Sequence, residues 1–187
     1  MRMKSMLACG LLMALLVGLG CGPRHQNNAQ QSVAAVVDTN KRQIRPVATI
    51  DQSGVRRLVG QRNGKVLFLN IWATWCAPCV EEYPDLVKLA GSYSEQEVEV
   101  VGISADYPDE VDSKIVPFLR KLKVPFTVYV ANFQHQEDFI NAIDSSWNGA
   151  LPATLIFDMR GNRRSFLVGQ GTYDKFRKMV DSARTGP

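Results

Sequence analysis

Two cysteines separated by two residues, Cys76 and Cys79, form the pair whose type and spacing could do chemistry. Three chemistries use such a pair. A structural zinc site needs four ligands, and the sequence holds only two histidines, His25 and His135, to complete one. A structural disulfide between residues three apart closes a very small loop and constrains the unfolded chain little. The spacing therefore favours a redox-active dithiol, and no metal is expected.

The elements around the pair place it where a strand passes into a helix. Residues 65–72 form a continuous apolar run, which is typical of a buried strand. After Cys79, apolar residues recur at helical spacing, and Gly91 lies where that helix would end. Pro78 fits the first helical turn, where its missing N–H costs nothing. The free N–H groups of this turn would stabilise a Cys76 thiolate and lower the pKa of that thiol.

The chain has 187 residues, of which 45% are hydrophobic and 21% charged, with a net charge of +4. This composition excludes disorder along most of the length. Arg2 and Lys4 precede an uncharged apolar run over residues 6–20, which is shorter than the roughly 20 residues of a membrane-spanning helix. The pattern predicts a secretory signal peptide at residues 1–20. Without it the net charge is +2 and the basic pairs are scattered, so nucleic acid is not an expected partner.

Residues 17–22, VGLGCG, resemble a bacterial lipobox, although Gly18 stands where that motif usually has leucine. The resemblance implies that Cys21 becomes the lipid-modified first residue and anchors the protein to a membrane. The alternative is cleavage after Gly20, which would leave a free thiol and a secreted, soluble protein. Residues 21–43 are rich in Gln and Asn and have no aromatic residue, which predicts a polar tether. Its reach is about 25 Å, and a single domain follows at residues 44–187.

The stretch from Asn70 to Pro84, NIWATWCAPCVEEYP, resembles the active-site signature of the TlpA/ResA-like branch of the thioredoxin superfamily. The members of this branch are extracytoplasmic thiol–disulfide oxidoreductases, and the resemblance covers about residues 44–185. It implies a thioredoxin-like fold. Asn70 stands where cytoplasmic thioredoxin has a buried aspartate, whereas Glu82 stands where ResA-like proteins carry a functional glutamate.

The alternation of strands and helices along the chain predicts an α/β fold with a central mixed sheet flanked by helices. We expect residues 47–51 and 55–59 to form a small N-terminal hairpin. Pro117 would kink the helix in which it lies. The other predicted strands are residues 98–104, 126–130, 154–157 and 164–168, the last two antiparallel, and the other predicted helices are residues 109–122, 135–144 and 173–183.

Thioredoxin-like proteins place a cis-proline beside the dithiol, directly before a strand, and Pro152 matches that position. The resemblance therefore implies a cis bond between Leu151 and Pro152. Because proline has no N–H, the backbone of Leu151 would be free to pair with an extended substrate. We predict that these two residues bind substrate together with Trp75, Ala77 and Pro78, which surround the cysteines.

The roles within the predicted site follow from position on the helix. We expect Cys76 to attack a substrate disulfide and Cys79, one turn inward, to resolve the mixed disulfide. Glu82 lies one turn beyond Cys79, so the two side chains share a helix face. A partly buried carboxylate has a raised pKa and exchanges protons near neutral pH. Spacing alone equally permits a solvated glutamate, as expected for Glu81, and the resemblance favours the proton-handling role for Glu82.

The resemblance also implies partners. A reductase in an oxidising compartment has to receive electrons, and the family receives them through a membrane conduit of the DsbD/CcdA type. Typical clients are apocytochrome c and other oxidised proteins. The residues between the cysteines, Ala77 and Pro78, resemble those of reducing members, and an oxidase or isomerase of the same fold stays an alternative. No cofactor is expected, and the chain is expected to act as a monomer.

Two further classes of protein fit the sequence less well. A peroxidase of the peroxiredoxin type needs Pro-x-x-x-Thr-x-x-Cys, but Thr74 lies two residues before Cys76 and the matching proline is absent. A copper chaperone of the Sco type needs Cys-x-x-x-Cys and a distant histidine. The spacing here is one residue short, and His135 lies in a polar stretch typical of a solvated helix start.

Overall fold

The computed structural model describes residues 44–185. The predicted signal peptide, the tether and Cys21 lie outside the described residues. Six strands form one sheet: β1 Ala48–Ile50, β2 Val66–Trp72, β3 Val98–Ser104, β4 Thr127–Ala131, β5 Ala153–Phe157 and β6 Arg163–Val168. Their order in the sheet is β1-β4-β3-β2-β5-β6. The first four in this order run parallel, and β5 and β6 are antiparallel to their neighbours, which confirms the mixed sheet.

Helices cover both faces of the sheet. They are α1 Gln52–Gly60, α2 Ala77–Ala90, α3 Val116–Leu122, α4 Gln136–Ile143 and α5 Tyr173–Thr185. One hydrophobic core lies between the sheet and α2, α3 and α5, and a second lies between the sheet and α1 and α4. The central strand β2 is buried along its whole length because it is covered from both sides.

The two-residue period of the strands decides which side chains meet α2. Phe68 and Trp72 of β2 belong to the core under α2, whereas Leu67, Leu69 and Ile71 belong to the opposite core. Asn70 has the same parity as Phe68 and therefore faces α2. Thr154 of β5 lies directly opposite Asn70 in the antiparallel register. Strand pairing thus brings two polar side chains together beneath the helix that carries the cysteines.

The predicted N-terminal hairpin is wrong. Residues 48–50 pair in parallel with β4, and residues 55–59 belong to helix α1. Asp51 starts this helix by accepting the Gly54 N–H at 2.7 Å, the bond that defines an N-cap. Val55 is buried, and Leu58 and Val59 pack against the same core, so the apolar spacing is helical.

The predicted helix at residues 109–122 is continuous only in its second half. A 3₁₀ turn at Pro108–Glu110 and a π turn at Val111–Ile115 precede α3. Pro117 lies in the first turn of α3, where a missing N–H is tolerated. The other predicted strands and helices are confirmed to within a few residues, and Gly91 ends α2 as expected. Among residues 44–185, no helix combines the length and apolar composition needed to cross a bilayer.

Candidate active site

Cys76 and Cys79 form a disulfide at the start of α2, with their Cα atoms 5.3 Å apart. Cys76 is the N-cap residue of the helix, and its carbonyl accepts the first helical hydrogen bond, from Val80. Pro78 occupies the first turn, as predicted. Cys76 retains 6% exposure and Cys79 has none. An external thiol or disulfide therefore reaches the sulfur of Cys76 first.

The loop before the cysteines is held by a buried acid that the sequence analysis missed. Asp106, 2% exposed, accepts the Thr74 backbone N–H at 2.9 Å and the Thr74 hydroxyl at 2.6 Å. The Ser104 hydroxyl also donates to Asp106. The sequence could have indicated Asp106 only through its position directly after β3, because the carboxyl end of β3 lies beside that of β2. These bonds fix the loop that presents Trp75, the side chain of which is 65% exposed.

Glu82 is buried one turn beyond Cys79, with 1% exposure. Its Oε1 accepts from Asn70 Nδ2 at 2.9 Å, and its Oε2 accepts from the Gly171 backbone N–H at 2.7 Å. Burial raises the pKa of Glu82 from 4.5 to about 7, the two hydrogen bonds oppose that rise, and the charge of Asp85 adds to it. At neutral pH this carboxyl can therefore both take up and release a proton, unlike an exposed glutamate.

Two further polar features of the site were not predicted from sequence. Asn70 also donates to the Thr154 hydroxyl at 3.0 Å, so strand β2 links Glu82 to strand β5. Gly171 has to be glycine, because an added Cβ would lie 2.1 Å from the ring of Phe176. Only a residue without a side chain lets this loop bring its N–H against Glu82. A backbone donor of this kind leaves no motif in the sequence beyond the glycine itself.

An aromatic cluster lies beneath the disulfide. The ring of Trp72 lies 4.5 Å from that of Tyr83 and 5.0 Å from that of Phe118, centroid to centroid. Burial raises the pKa of Tyr83 well above 10, so its phenol stays protonated near neutral pH. Trp72 and Tyr83 are therefore packing residues rather than acids or bases.

A groove of about 440 Å³ lies beside the exposed Trp75. Trp75, Leu151, Phe139 and Trp147 are among the residues that line it. The Leu151–Pro152 bond is cis, as the resemblance implied. Of the other predicted substrate-binding residues, Pro152 is buried, Pro78 half-buried and Ala77 exposed, and the described lining of the groove includes none of the three. A larger polar cavity, of about 580 Å³, lies between α1 and the sheet and is lined by none of the predicted site residues, although Asn132 lines both this cavity and the groove.

The histidine considered for metal binding does not join the cysteines. His135 is exposed and begins helix α4, and it lies on the rim of the groove. In residues 44–185, the structure places no three His, Cys, Asp or Glu side chains where they could hold a metal ion together.

Comparison with known proteins identifies relatives of this chain. Residues 45–165 match the AhpC/TSA family. The thiol-disulfide oxidoreductase ResA of Geobacillus kaustophilus is 26% identical over 134 residues, which cover 72% of each chain. The thiol:disulfide interchange protein HelX of Rhodobacter capsulatus is 28% identical over 181 residues, which cover 94% of this chain and 93% of that one.

Solved structures show the same fold. A thiol:disulfide interchange protein of the thioredoxin family from Chlorobium tepidum superimposes with a TM-score of 0.57, at 22% identity, over 75% of this chain and 98% of that one. A thioredoxin-related protein from Neisseria meningitidis gives a TM-score of 0.56, at 25% identity, over 65% of this chain and 86% of its own. The matched segment contains the Cys76–Cys79 disulfide and Glu82. The chain therefore belongs to the AhpC/TSA family, and it is a thiol–disulfide oxidoreductase of thioredoxin-like fold.

Proposed function

We propose that the protein reduces disulfides of client proteins outside the cytoplasm, with Cys76 as nucleophile, Cys79 as resolving thiol and Glu82 as the group that handles the proton of Cys79. The observation that carries the proposal is the order of three residues at the start of α2: a slightly exposed cysteine, a fully buried cysteine, and a buried glutamate with a pKa of about 7. The resemblance of Ala77 and Pro78 to reducing members supports the direction.

In the first step the reduced chain attacks its client. The Cys76 thiolate is stabilised by the N–H groups at the start of α2. It attacks one sulfur of the client disulfide, a Cys76–client bond forms, and the other client sulfur leaves as a thiolate that takes a proton from water. Exposure limits this step to Cys76, because Cys79 is fully buried.

The second step needs a base that works without water. The Cys79 thiol has to lose its proton in a place that solvent does not reach. Glu82, ionised at the start, takes that proton, and the Cys79 thiolate attacks Cys76. The Cys76–Cys79 disulfide forms and the second client sulfur leaves as a thiolate, so that two electrons have passed from the protein to the client.

The groove supports a polypeptide client. Trp75 gives an exposed aromatic wall, and Leu151 lies on the same groove. An extended client strand would pair with the backbone of Leu151 beside the buried Pro152, and its side chains would occupy the apolar floor near Phe139. Ala77 and Pro78, in the first turn of α2, would contact the client next to its cysteine.

Location and partners complete the proposal. A lipid on Cys21 would hold the domain within about 25 Å of a membrane, the reach of the tether. There a membrane conduit of the DsbD/CcdA type would reduce the Cys76–Cys79 disulfide after each turnover. The clients would be oxidised extracytoplasmic proteins, apocytochrome c among them, and the protein would act as a monomer.

Peroxide reduction is disfavoured by the position of Thr74. Its hydroxyl donates to Asp106 at 2.6 Å and thereby serves to fix the loop. The Thr-x-x-Cys spacing of a peroxidase is absent as well.

Two measurements test the proposed function. The reduction potential of the Cys76–Cys79 pair, read by tryptophan fluorescence in thiol buffers, is expected at or below about −250 mV, and a value near about −120 mV would make the protein an oxidase. Cys79→Ser is expected to accumulate a mixed disulfide with an oxidised client, whereas Cys76→Ser is the matched control and should form none. A Cys79→Ser chain that forms no adduct contradicts the assigned roles.

A further inference from the structure

The side-chain amide of Asn70 makes hydrogen bonds through its nitrogen but not through its oxygen. Its Nδ2 donates to Glu82 Oε1 at 2.9 Å and to Thr154 Oγ1 at 3.0 Å. Its Oδ1 is fully buried and has no hydrogen-bond partner among residues 44–185. A buried carbonyl oxygen without a donor is unusual in a folded protein and calls for an explanation.

The observed contacts fit Glu82 only when it is ionised. A carboxylate accepts hydrogen bonds and donates none, and here it accepts one on each oxygen, from Asn70 and from Gly171. A protonated carboxyl has to donate its own hydrogen. Both groups that contact it are donors as placed, so neither can receive that hydrogen. The Gly171 N–H belongs to the backbone and cannot be turned into an acceptor.

A half-turn of the Asn70 amide about its Cβ–Cγ bond resolves this conflict. The turn places Oδ1 where Nδ2 was, within reach of Glu82 Oε1 and Thr154 Oγ1. There Oδ1 accepts the hydrogen of the protonated Glu82 carboxyl and the hydrogen of the Thr154 hydroxyl, which can act as donor or acceptor. The site makes two hydrogen bonds to the amide before the turn and two after it. Oxygen and nitrogen have nearly the same size, so the packing around Asn70 is unchanged.

We propose that Asn70 is a positioning residue whose amide reverses each time Glu82 gains or loses its proton, so that the buried carboxyl is hydrogen-bonded in both states. The proposal rests on the function proposed above, in which Glu82 takes the proton of Cys79. Thr154 is part of the device, since its hydroxyl accepts from the amide in one state and donates to it in the other.

The groups around Glu82 leave Asn70 as the partner able to respond. From helix α2 itself, the Asp85 carboxylate adds a negative charge near Glu82, and the buried Tyr83 phenol stays protonated. Strands β2 and β5 contribute the neutral Asn70 and Thr154, and the loop before α5 contributes the Gly171 N–H. None of these other groups offers an acceptor in hydrogen-bond contact with the carboxyl in the part of the chain that the structure describes.

The test is an NMR titration of the oxidised full-length chain, with ¹³C in the glutamate carboxyls and ¹⁵N in the asparagine side chains. The titration runs from about pH 5 to about pH 9, a range centred on the Glu82 pKa of about 7. Over this range the Asn70 amide signals are expected to shift with the same midpoint as the Glu82 carboxyl. The nuclear Overhauser effect from the amide hydrogens to the Thr154 methyl group is expected to weaken as Glu82 gains its proton, because the nitrogen then turns away.

Two variants sharpen this test. Asp85→Asn removes a neighbouring charge, and it should lower the Glu82 and Asn70 midpoints together. Glu82→Gln should leave the Asn70 signals independent of pH. An Asn70 amide that keeps its shifts and its contacts to the Thr154 methyl while Glu82 titrates overturns the proposal, as do midpoints that move apart in Asp85→Asn.

A substitution at Asn70 adds a second readout. Asn70→Leu removes the hydrogen-bond partner of Glu82 in both protonation states, so its midpoint should move by less than about one pH unit, whereas loss of a fixed donor to the carboxylate alone would raise it by about one to two pH units. The wild-type titration tests the proposal even if this variant does not fold. The titration is also independent of the proposed redox function. If Glu82→Gln left the pH profile of Cys79 reactivity unchanged, the proposed proton role of Glu82 would fail, but the result for the Asn70 amide would still stand.

Discussion

Replacing Glu82 by glutamine is expected to stabilise the oxidised protein above neutral pH. Glu82 is 1% exposed, and its pKa in the folded chain is about 7, against 4.5 for an ordinary glutamate such as that of the unfolded chain. As the pH rises, Glu82 therefore ionises at a lower pH in the unfolded chain than in the folded chain, where ionisation creates a buried charge. Each pKa unit corresponds to about 1.4 kcal/mol, so the difference amounts to about 3 kcal/mol.

The sign and the pH window follow from the same two values. Below pH 4.5 the carboxyl is protonated in both states, and its full contribution to stability is present. Between pH 4.5 and about 7 that contribution is lost progressively, and above about 7 it is constant. The free energy of unfolding of Glu82→Gln relative to wild type should therefore rise by about 3 kcal/mol across this window and then level off.

Urea denaturation of both chains at a series of pH values measures this difference. Other acids, such as Asp144 and Asp158, have lowered pKa values in the folded chain, so their contribution to stability is lost in acid. Both chains contain these acids, and their effect on the free energy of unfolding cancels in the comparison. Glu81→Gln is the matched control, because Glu81 is the exposed neighbour on the same helix and its loss should leave the pH profile unchanged. Parallel profiles for wild type and Glu82→Gln would refute the conclusion that burial raises the pKa of Glu82.

Two further substitutions test how the site is supported. Gly171→Ala would place a Cβ 2.1 Å from Phe176 and push the N–H away from Glu82. We expect the free energy of unfolding in urea to fall by about 2 kcal/mol and the titration midpoint of the Glu82 carboxyl to rise by NMR. An unshifted midpoint would contradict this reasoning. Asp106→Asn keeps the shape of the side chain but points an amide NH₂ at one of the two donors of Thr74. We expect the free energy of unfolding to fall by about 1 to 3 kcal/mol and hydrogen exchange at the Thr74 amide to become faster. Unchanged exchange would show that Asp106 does not hold the loop.

The parts of the fold that the sequence predicted are those with strong local patterns. The apolar run of β2 and the helical spacing after Cys79 predict the strand and the helix that carry the dithiol, and both are confirmed. The hairpin prediction failed because residues 55–59 are too short a segment for periodicity to separate strand from helix. Asp51 was the deciding signal, since an aspartate just before an apolar-periodic segment, here four residues before the buried Val55 of α1, is typical of a helix start.

The surroundings of Glu82 could be predicted only in part. Its place on the helix follows from spacing, but its burial depends on Asn70, Thr154 and Gly171, which lie 12, 72 and 89 residues away along the chain. The register between β2 and β5 brings the first two together, and a one-residue slip would turn both side chains to the opposite face. No local pattern encodes that register.

The contact between Asn70 and Glu82 explains why an acid on the helix goes together with an amide on the strand. Their side chains meet at 2.9 Å, so a carboxyl attached to either residue would occupy nearly the same buried place. By resemblance, thioredoxin carries its buried acid on the strand, at the position of Asn70. Two carboxyls this close could not both ionise, since like charges raise each other's pKa. An acid supplied by α2 therefore requires a neutral partner in β2, and an amide is a neutral side chain that can donate to the carboxylate and accept from the acid. The arrangement moves the proton-handling group from the sheet to the same helix as the cysteines, one turn beyond the sulfur that it serves.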